Sequence, residues 1–158
     1  EGVKLVYLGD GNNVCASLMR IAGRFGMHFV ASTPAGYEPS PEFVAAARAD
    51  AEANGGSVEL IADPREAVRG AQVLYTDVWT SMGQEAERER RLRDLEGHRI
   101  DDALLATAGP EAIALHCLPA HTGEEITAEV LYGPRSLAWE QAENRLHTQK
   151  ALMALVIR

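Results

Sequence analysis

The chain has 158 residues, of which 46% are hydrophobic, and its formal net charge is −8. This length is enough for one domain with a buried core, and this composition is typical of a folded protein and not of a disordered one. The acidic charge argues against nucleic-acid binding, because that requires clustered Lys and Arg side chains. The longest basic patch, from Arg88 to Arg93, is interleaved with acidic residues and predicts a solvated helix face.

The two cysteines and the start of the chain suggest where the protein is found. Cys15 and Cys117 are too far apart in sequence to indicate a disulfide framework or a zinc site, so we expect a reducing, cytoplasmic location. We expect neither a membrane-spanning run nor a signal peptide, because the first residues lead directly into a strand. Glu1 and Gly2 leave almost no lead-in, which predicts a piece that begins at a domain boundary.

Five apolar segments predict β-strands, and helical patterns separate them. The predicted strands are Val3–Leu8, His28–Ser32, Val58–Ile61, Val73–Thr76 and Ile113–His116. The predicted helical segments are Val14–Phe25, Glu42–Ala53, Pro64–Arg69 after an Asp63 cap, Gln84–Leu95, Asp102–Ala106, a turn near Glu125–Leu131, and Glu140–Val156. This alternation predicts an α/β fold: a Rossmann-like, doubly wound parallel sheet of about five strands with helices on both faces.

Three of the predicted strands end abruptly in polar residues. The first leads into Gly9-Asp10-Gly11-Asn12-Asn13, the fourth into Asp77-Val78-Trp79-Thr80-Ser81-Met82-Gly83, and the fifth into His116-Cys117-Leu118-Pro119. In open parallel sheets, ligands bind at the carboxyl ends of the strands, where a crevice opens at the switch in strand order. We therefore expect Asn13, Asp77 and Cys117 to lie at one edge of the sheet and to mark the site.

The glycine-containing turn after the first strand has two interpretations. It resembles a dinucleotide fingerprint, but Val14 replaces the third glycine and no acidic residue ends the second strand, which disfavours a nicotinamide-dependent dehydrogenase. The turn is then either a tight connection with a helix cap or a place where Asn13 and the helix N-terminus hold a carboxylate.

The residues after the fourth strand also allow two interpretations. Asp77 could pair with an ammonium group, and Ser81 and the backbone near Met82 offer further polar contacts; alternatively, Asp77 or Ser81 only caps the next helix. Trp79 is expected in the core or in the lining of the crevice.

Cys117 and Arg145 remain ambiguous from spacing alone. Cys117 is either an inert, small hydrophobic residue or a thiol that contacts a ligand. Arg145 is either an exposed helix residue or an anion clamp directed into the crevice.

These motifs, together with Ala142-Glu143-Asn144-Arg145, resemble ornithine carbamoyltransferase, and specifically its second, ornithine-binding domain. The resemblance extends over essentially the whole chain. It implies transfer of the carbamoyl group of carbamoyl phosphate to the δ-amine of L-ornithine, which gives citrulline in arginine biosynthesis. It also implies that no metal or organic cofactor is needed and that the enzyme is a homotrimer, or a multiple of one. The residues implied to contact ornithine are Asn13, Asp77, Ser81 and Met82, and those implied to contact both ornithine and the carbamoyl group are Cys117, Leu118 and Arg145.

The chemistry of ornithine agrees with these implied roles. Asn13 suits the α-carboxylate and Asp77 suits the α-ammonium group. Asp77 and Cys117 could favour the neutral δ-amine that attacks, and Arg145 could polarise the carbamoyl oxygen. We accordingly expect Cys117, Asp77 and Arg145 to be the catalytic residues.

The sequence also departs from the family pattern. It contains no Ser-Thr-Arg-Thr-Arg or His-Pro-x-Gln segment, so we expect residues 1–158 to form a single ornithine-binding domain from which the carbamoyl phosphate domain is absent. Thr122 stands where many relatives have Arg. We expect the chain alone to fold without catalysing, with a poorly held last helix. The alternatives are a self-standing amino-acid-binding module and a carbamoyltransferase for a related amine such as putrescine.

Overall fold

The computed structural model describes residues 2–80, 83 and 85–157, with Glu85 described in its backbone only. Five parallel strands form one sheet in the order β3-β2-β1-β4-β5. The strands are β1 Lys4–Leu8, β2 His28–Ser32, β3 Ser57–Leu60, β4 Val73–Thr76 and β5 Ile113–His116. The predicted parallel sheet is therefore confirmed. The first strand is central, between β2 and β4, so the crevice opens between β1 and β4 as expected.

Seven α-helices connect or follow the strands in the described part of the chain. They are α1 Asn13–Arg24, α2 Pro41–Asn54, α3 Pro64–Ala67, α4 Arg88–Leu95, α5 Asp102–Ala108, α6 Ala128–Leu131 and α7 Ala138–Val156. Most ends lie within one or two residues of the predicted ends. The fourth helix begins later than predicted, because a 3-10 turn at Glu85–Glu87 precedes it and the predicted first residue, Gln84, lies outside the described residues. None of the described helices is both long enough and apolar enough to cross a membrane.

Side-chain caps and close backbone contacts fix how the first strand leads into α1. The Asn12 side chain accepts hydrogen bonds from the backbone N–H groups of Val14 and Cys15, which satisfies two donors at the start of the helix. A Cβ atom at Gly11 would lie 2.2 Å from the backbone nitrogen of Pro39, so only glycine fits there. The turn therefore has a fixed shape, and that shape positions Asn12 beside the sheet.

The two faces of the sheet pack against different helices, as the alternation along each strand requires. On β1, Leu5 and Tyr7 belong to a core cluster that includes residues of α1 and α2. Val6 and Leu8 belong to a second cluster, which includes residues of α3, α5 and α6. Each fully buried aliphatic side chain contributes roughly 1.5–3 kcal/mol relative to exposure, so these layers hold the strand ends in place.

Helix α7 is not packed against the sheet in the way that the other helices are, because nothing in the described chain covers most of its surface. Ala138 is its only fully buried residue, and its apolar stripe is exposed; Leu146 is 58% accessible and Leu155 is 78% accessible. A helix that leaves such a stripe in water has no local packing to hold it beyond its first turns. This exposure agrees with the expectation of a poorly held last helix.

Candidate functional site

The ends of β1, β4 and β5 meet at the carboxylate of Asp77. This side chain is only 9% accessible and follows β4 directly. Its Oδ1 atom accepts hydrogen bonds from the Val78 N–H at 2.8 Å and from the Cys117 thiol at 2.9 Å, and its Oδ2 atom accepts one from Asn12 Nδ2 at 2.9 Å. The predicted meeting of Asp77 and Cys117 is confirmed.

Burial and the contact with Asp77 together keep the Cys117 thiol protonated. Burial, the hydrogen bond to Asp77 and the negative charge of Asp77 raise the pKa of the Cys117 thiol to about 12. The side chain is therefore a neutral thiol at physiological pH and donates its proton to the carboxylate. Because only a thiolate is a strong nucleophile, this arrangement favours a hydrogen-bonding role for Cys117 over covalent catalysis.

Two buried tyrosines extend the network on the same face of the sheet. Tyr7 and Tyr75 are register partners on β1 and β4, and their rings stack with centroids 6.2 Å apart. The Tyr7 hydroxyl donates to Asn12 Oδ1 at 3.2 Å. The Tyr75 hydroxyl accepts a hydrogen bond from Gln141 Nε2 at 2.8 Å. Burial raises the pKa of Tyr75 to about 12, so this hydroxyl remains neutral.

The sequence analysis missed these tyrosines and Gln141, because each also has an ordinary core or helix interpretation. The available signal was the two-residue strand alternation, which places Tyr75 on the same face as Asp77. The partner Gln141 lies 66 residues further along the chain, and no local pattern could have indicated it.

Asn12 and Asn13 lie at the same end of the sheet but have different surroundings. Asn12 contacts Asp77, whereas the sequence analysis had treated Asn12 only as a cap. Asn13 is exposed and lines a cavity of about 570 Å³ next to α1 and α2, together with Ser17 and Arg20. A carboxylate-binding role for Asn13 stays a prediction.

Arg145 lies on the exposed surface of α7, one turn after Gln141. Both residues line a cavity of about 630 Å³ together with Leu115 of β5. Leu115 and Cys117 are two residues apart, so this cavity runs along the strand that leads to the thiol. The predicted residues Ser81 and Met82 lie outside the described residues.

His116 orders the loop after β5 and does not form a nucleophile–base pair with Cys117. Its Nδ1 atom accepts the N–H of Leu118 at 2.8 Å, so the proton of the neutral imidazole is on Nε2. Nε2 lies 3.1 Å from Glu125 Oε1, which also accepts the N–H of His121 at 2.6 Å. These contacts are buried on the face of the sheet opposite to Cys117, and they fix the backbone of Leu118.

Three side chains of this loop are near enough to one another to share a cation. One ligand atom each of His121, Glu124 and Glu125 lies within 4.8 Å of the others. Arg88 pairs with Glu124, however, and Glu125 Oε1 accepts two hydrogen bonds. One oxygen of each carboxylate has a partner in the fold, while the second oxygen of each is buried without one among the described residues. We assign the paired oxygens to loop structure.

Arg91 corrects the prediction that Arg88 to Arg93 form a solvated face. The Arg91 side chain is buried, its Nε atom donates to the Trp79 carbonyl at 2.5 Å, and it pairs with Asp10. Its guanidinium group lies over the ring of Tyr37, 5.0 Å from the centroid. Burial raises the pKa of Asp10, and the charge of Arg91 opposes that shift. Arg91 therefore ties the turn after β1 to the segment that follows Asp77. Trp79 is buried, as expected.

This fold matches that of a known class of transferases. Residues 1–156 match the model of the aspartate/ornithine carbamoyltransferase family, Asp/Orn binding domain. Among solved structures, ornithine carbamoyltransferase from Pyrococcus furiosus is 50% identical with a TM-score of 0.95, and the match covers 99% of this chain and 50% of that one. The enzyme from Gloeobacter violaceus is 50% identical with a TM-score of 0.91, with 99% and 52% coverage.

Curated relatives agree with these structures. The ornithine carbamoyltransferases of Acidothermus cellulolyticus and Symbiobacterium thermophilum are 56% and 54% identical over 157 and 156 residues, and each match covers 99% of this chain. The chain belongs to the aspartate/ornithine carbamoyltransferase family and corresponds to its Asp/Orn binding domain. It spans about half the length of the curated relatives that it matches.

Proposed function

We propose that this chain is the ornithine-binding half of an ornithine carbamoyltransferase. The enzyme would transfer the carbamoyl group of carbamoyl phosphate to the δ-amine of L-ornithine, giving L-citrulline and phosphate. The names of the relatives support this proposal, since those that cover almost the whole chain are ornithine carbamoyltransferases. Their double length supports a second domain that would bind carbamoyl phosphate.

The observation that carries the proposal is the state of Asp77. Its carboxylate is nearly buried and accepts three hydrogen bonds, all from neutral donors. The ion pairs of the described residues do not include Asp77, so its negative charge is not neutralised by a described side chain. A desolvated carboxylate of this kind favours a cationic ligand, because a cation offsets the cost of burying the charge. The α-ammonium group of ornithine can fill this role, which leaves the δ-amine to react in its neutral form.

The proposed roles of the other residues follow from the reaction. Asn13, Ser81 and Met82 would contact ornithine beside Asp77, while Cys117 and the ordered backbone of Leu118 would contact the carbamoyl group. The neutral δ-amine nitrogen attacks the carbamoyl carbon, the bond from that carbon to the phosphate oxygen breaks, and the amine loses a proton. Arg145 would stabilise the negative charge that develops on the carbamoyl oxygen.

The exposed surface of α7 supports the proposal that the two substrates are bound by two different domains. Its uncovered stripe, which includes Leu146 and Leu155, would pack against the carbamoyl phosphate domain. Closure of the two domains would bring the substrates together and exclude water, so the isolated chain would lack both contributions. We extend the proposal to a homotrimer, or a multiple of one, in the cytoplasm and in arginine biosynthesis.

A complementation assay tests this proposal. Citrulline formation from both substrates is measured for the 158-residue chain alone, for the separately expressed carbamoyl phosphate domain, and for their mixture. We expect neither half alone to produce citrulline and the mixture, or the full-length enzyme, to produce it. Turnover by the chain alone would show that both substrates bind within it. The proposal that a second domain binds carbamoyl phosphate would then be wrong.

Calorimetry separates the remaining alternatives. We expect the full-length enzyme to bind ornithine more tightly than putrescine, because putrescine lacks the α-carboxylate. A self-standing amino-acid-binding module would bind ornithine tightly as the 158-residue chain and gain nothing from the second domain. Preference for putrescine would indicate a carbamoyltransferase for that amine.

A further inference from the structure

The first turn of α7 contains the last described contacts that hold this helix to the sheet. The backbone before the helix pairs with β5, since the Ala114 N–H donates to the Arg135 carbonyl at 2.9 Å and the Leu137 N–H donates to the Ala114 carbonyl at 3.0 Å. Ala138 is buried, and Gln141 is the last residue of the helix that is even partly buried. Every described residue from 142 onward is exposed.

Gln141 makes a specific contact at this boundary. Its Nε2 atom donates to the Tyr75 hydroxyl at 2.8 Å, which joins the helix to the centre of the site. The remaining polar atom of that amide, Oε1, is buried and has no partner among the described residues. The side chain therefore stays in place through one hydrogen bond, which makes the Tyr75 hydroxyl decisive for its position.

Arg145 is the residue that this contact would control. It lies four positions after Gln141, on the same side of the helix and about 6 Å further along the axis. Both side chains line the cavity above Leu115, the strand residue two positions before Cys117. A rotation or tilt of α7 about its first turn would move Arg145 across this cavity, because no hydrogen bond or ion pair of the described residues ties the helix to the sheet beyond Gln141.

We propose that Gln141 and Tyr75 are positioning residues that fix helix α7 so that Arg145 lies over the cavity beside Ile113 and Leu115 of β5. The catalytic part of this proposal rests on the function proposed above. The structural part does not, since it concerns only contacts within this chain. Tyr75 suits the role because its hydroxyl oxygen accepts from Gln141 at 2.8 Å and the residue is buried on the strand next to β5.

The structural part is tested by hydrogen exchange in the 158-residue chain. Tyr75→Phe and Gln141→Leu each remove the contact while keeping a side chain of similar size. We expect the amides of residues 142–149 to exchange about fivefold faster in either variant, the loss expected for one hydrogen bond. The matched control is Tyr132→Phe, an exposed tyrosine stacked on Trp139, which should leave this exchange unchanged. Unchanged exchange in Tyr75→Phe and Gln141→Leu would overturn the proposal.

The catalytic part is tested by a double-mutant cycle in the full-length enzyme. We expect Gln141→Leu to lower kcat about fivefold with the KM for ornithine nearly unchanged, and to have no further effect when Arg145→Ala is already present. An equal loss of kcat in both backgrounds would show that Gln141 does not act through Arg145. If the unmodified enzyme forms no citrulline, the proposed function fails, while the exchange experiment still decides whether Gln141 and Tyr75 fix the helix.

Discussion

Replacing Asp77 by Asn tests the central charge of the site while leaving its shape almost unchanged. A charge-assisted hydrogen bond to an ammonium group contributes about 1.5–3 kcal/mol, so we expect Asp77→Asn to weaken ornithine binding about tenfold to a hundredfold. The measurement is the Kd for ornithine of the full-length enzyme, determined by titration calorimetry well below the melting temperature of either protein.

The structure also predicts a cost in stability. Both carboxylate oxygens of Asp77 accept hydrogen bonds, and Asn can replace only one of them. If the new NH₂ group takes the place of Oδ1, it faces the N–H of Val78; if it takes the place of Oδ2, it faces the NH₂ of Asn12. In either orientation a nearly buried donor loses its partner, which costs about 1–3 kcal/mol. For a domain of this length, each kcal/mol lowers the melting temperature by about 2–4 °C.

Asp63→Asn provides the control for both measurements. Asp63 is exposed and caps α3 by accepting from the N–H groups of Arg65 and Glu66, and Asn is an equally good cap. This variant should change neither stability nor ornithine affinity. If Asp77→Asn binds ornithine within twofold of the unmodified enzyme, Asp77 is not the ammonium ligand and the reasoning from its buried charge is refuted.

Three further predictions concern ionised and buried groups. Arg91→Met should destabilise the chain by about 3 kcal/mol in urea unfolding, because it removes a buried cation and leaves the partly buried Asp10 carboxylate unpaired. Arg90→Met, which alters an exposed neighbour, should cost under about 1 kcal/mol, and equal losses in the two variants would contradict the burial argument. Burial raises the pKa of Cys15 to about 12, so between pH 9 and 12 the thiol loses its proton in the unfolded chain and keeps it in the folded one. The free energy of unfolding should therefore fall as the pH rises from about 9 to 12. Cys15→Ala should reduce the slope of that fall by up to about 1.4 kcal/mol per pH unit. Iodoacetamide should modify Cys117 slowly at pH 8.5 and faster in Asp77→Asn, because the Asp77 carboxylate raises the pKa of the thiol. Mass spectrometry of the labelled peptide measures the rate of modification. A slower rate in the variant would contradict the hydrogen bond assigned between Cys117 and Asp77.

One property of buried parallel strands allowed both the sheet and part of the site to be predicted from the sequence. Buried parallel strands appear as continuous apolar runs, and their carboxyl ends share one edge, so the contact between Asp77 and Cys117 follows from strand order alone. The turn after β1 shows where this reasoning stops. Asn12 and Asn13 are adjacent and identical in type, and only the capping geometry decides that Asn12 contacts Asp77.

The burial of Arg91 could not be predicted for a different reason. A run of alternating charges indicates a solvated helix, and most of its members are solvated here. Which arginine side chain is buried depends on the rotation of α4 relative to the Trp79 carbonyl, and that rotation is set by tertiary packing. The role of Tyr75 was not predicted for a similar reason. An aromatic residue in a buried strand is expected to belong to the core, and the partner of its hydroxyl lies on another element.

The hydrogen bonds of Asp77 argue for the kind of group that this site accepts. Asn12, Cys117 and the Val78 N–H donate to its carboxylate, and Asn12 in turn accepts from the Tyr7 hydroxyl. These neutral donors satisfy both carboxylate oxygens without neutralising the negative charge, which leaves that charge available to a ligand. A second carboxylate placed there would be repelled at close range in a site of low dielectric. The charge of Asp77 therefore favours an ammonium group, in agreement with the α-ammonium role that the sequence analysis predicts for this residue.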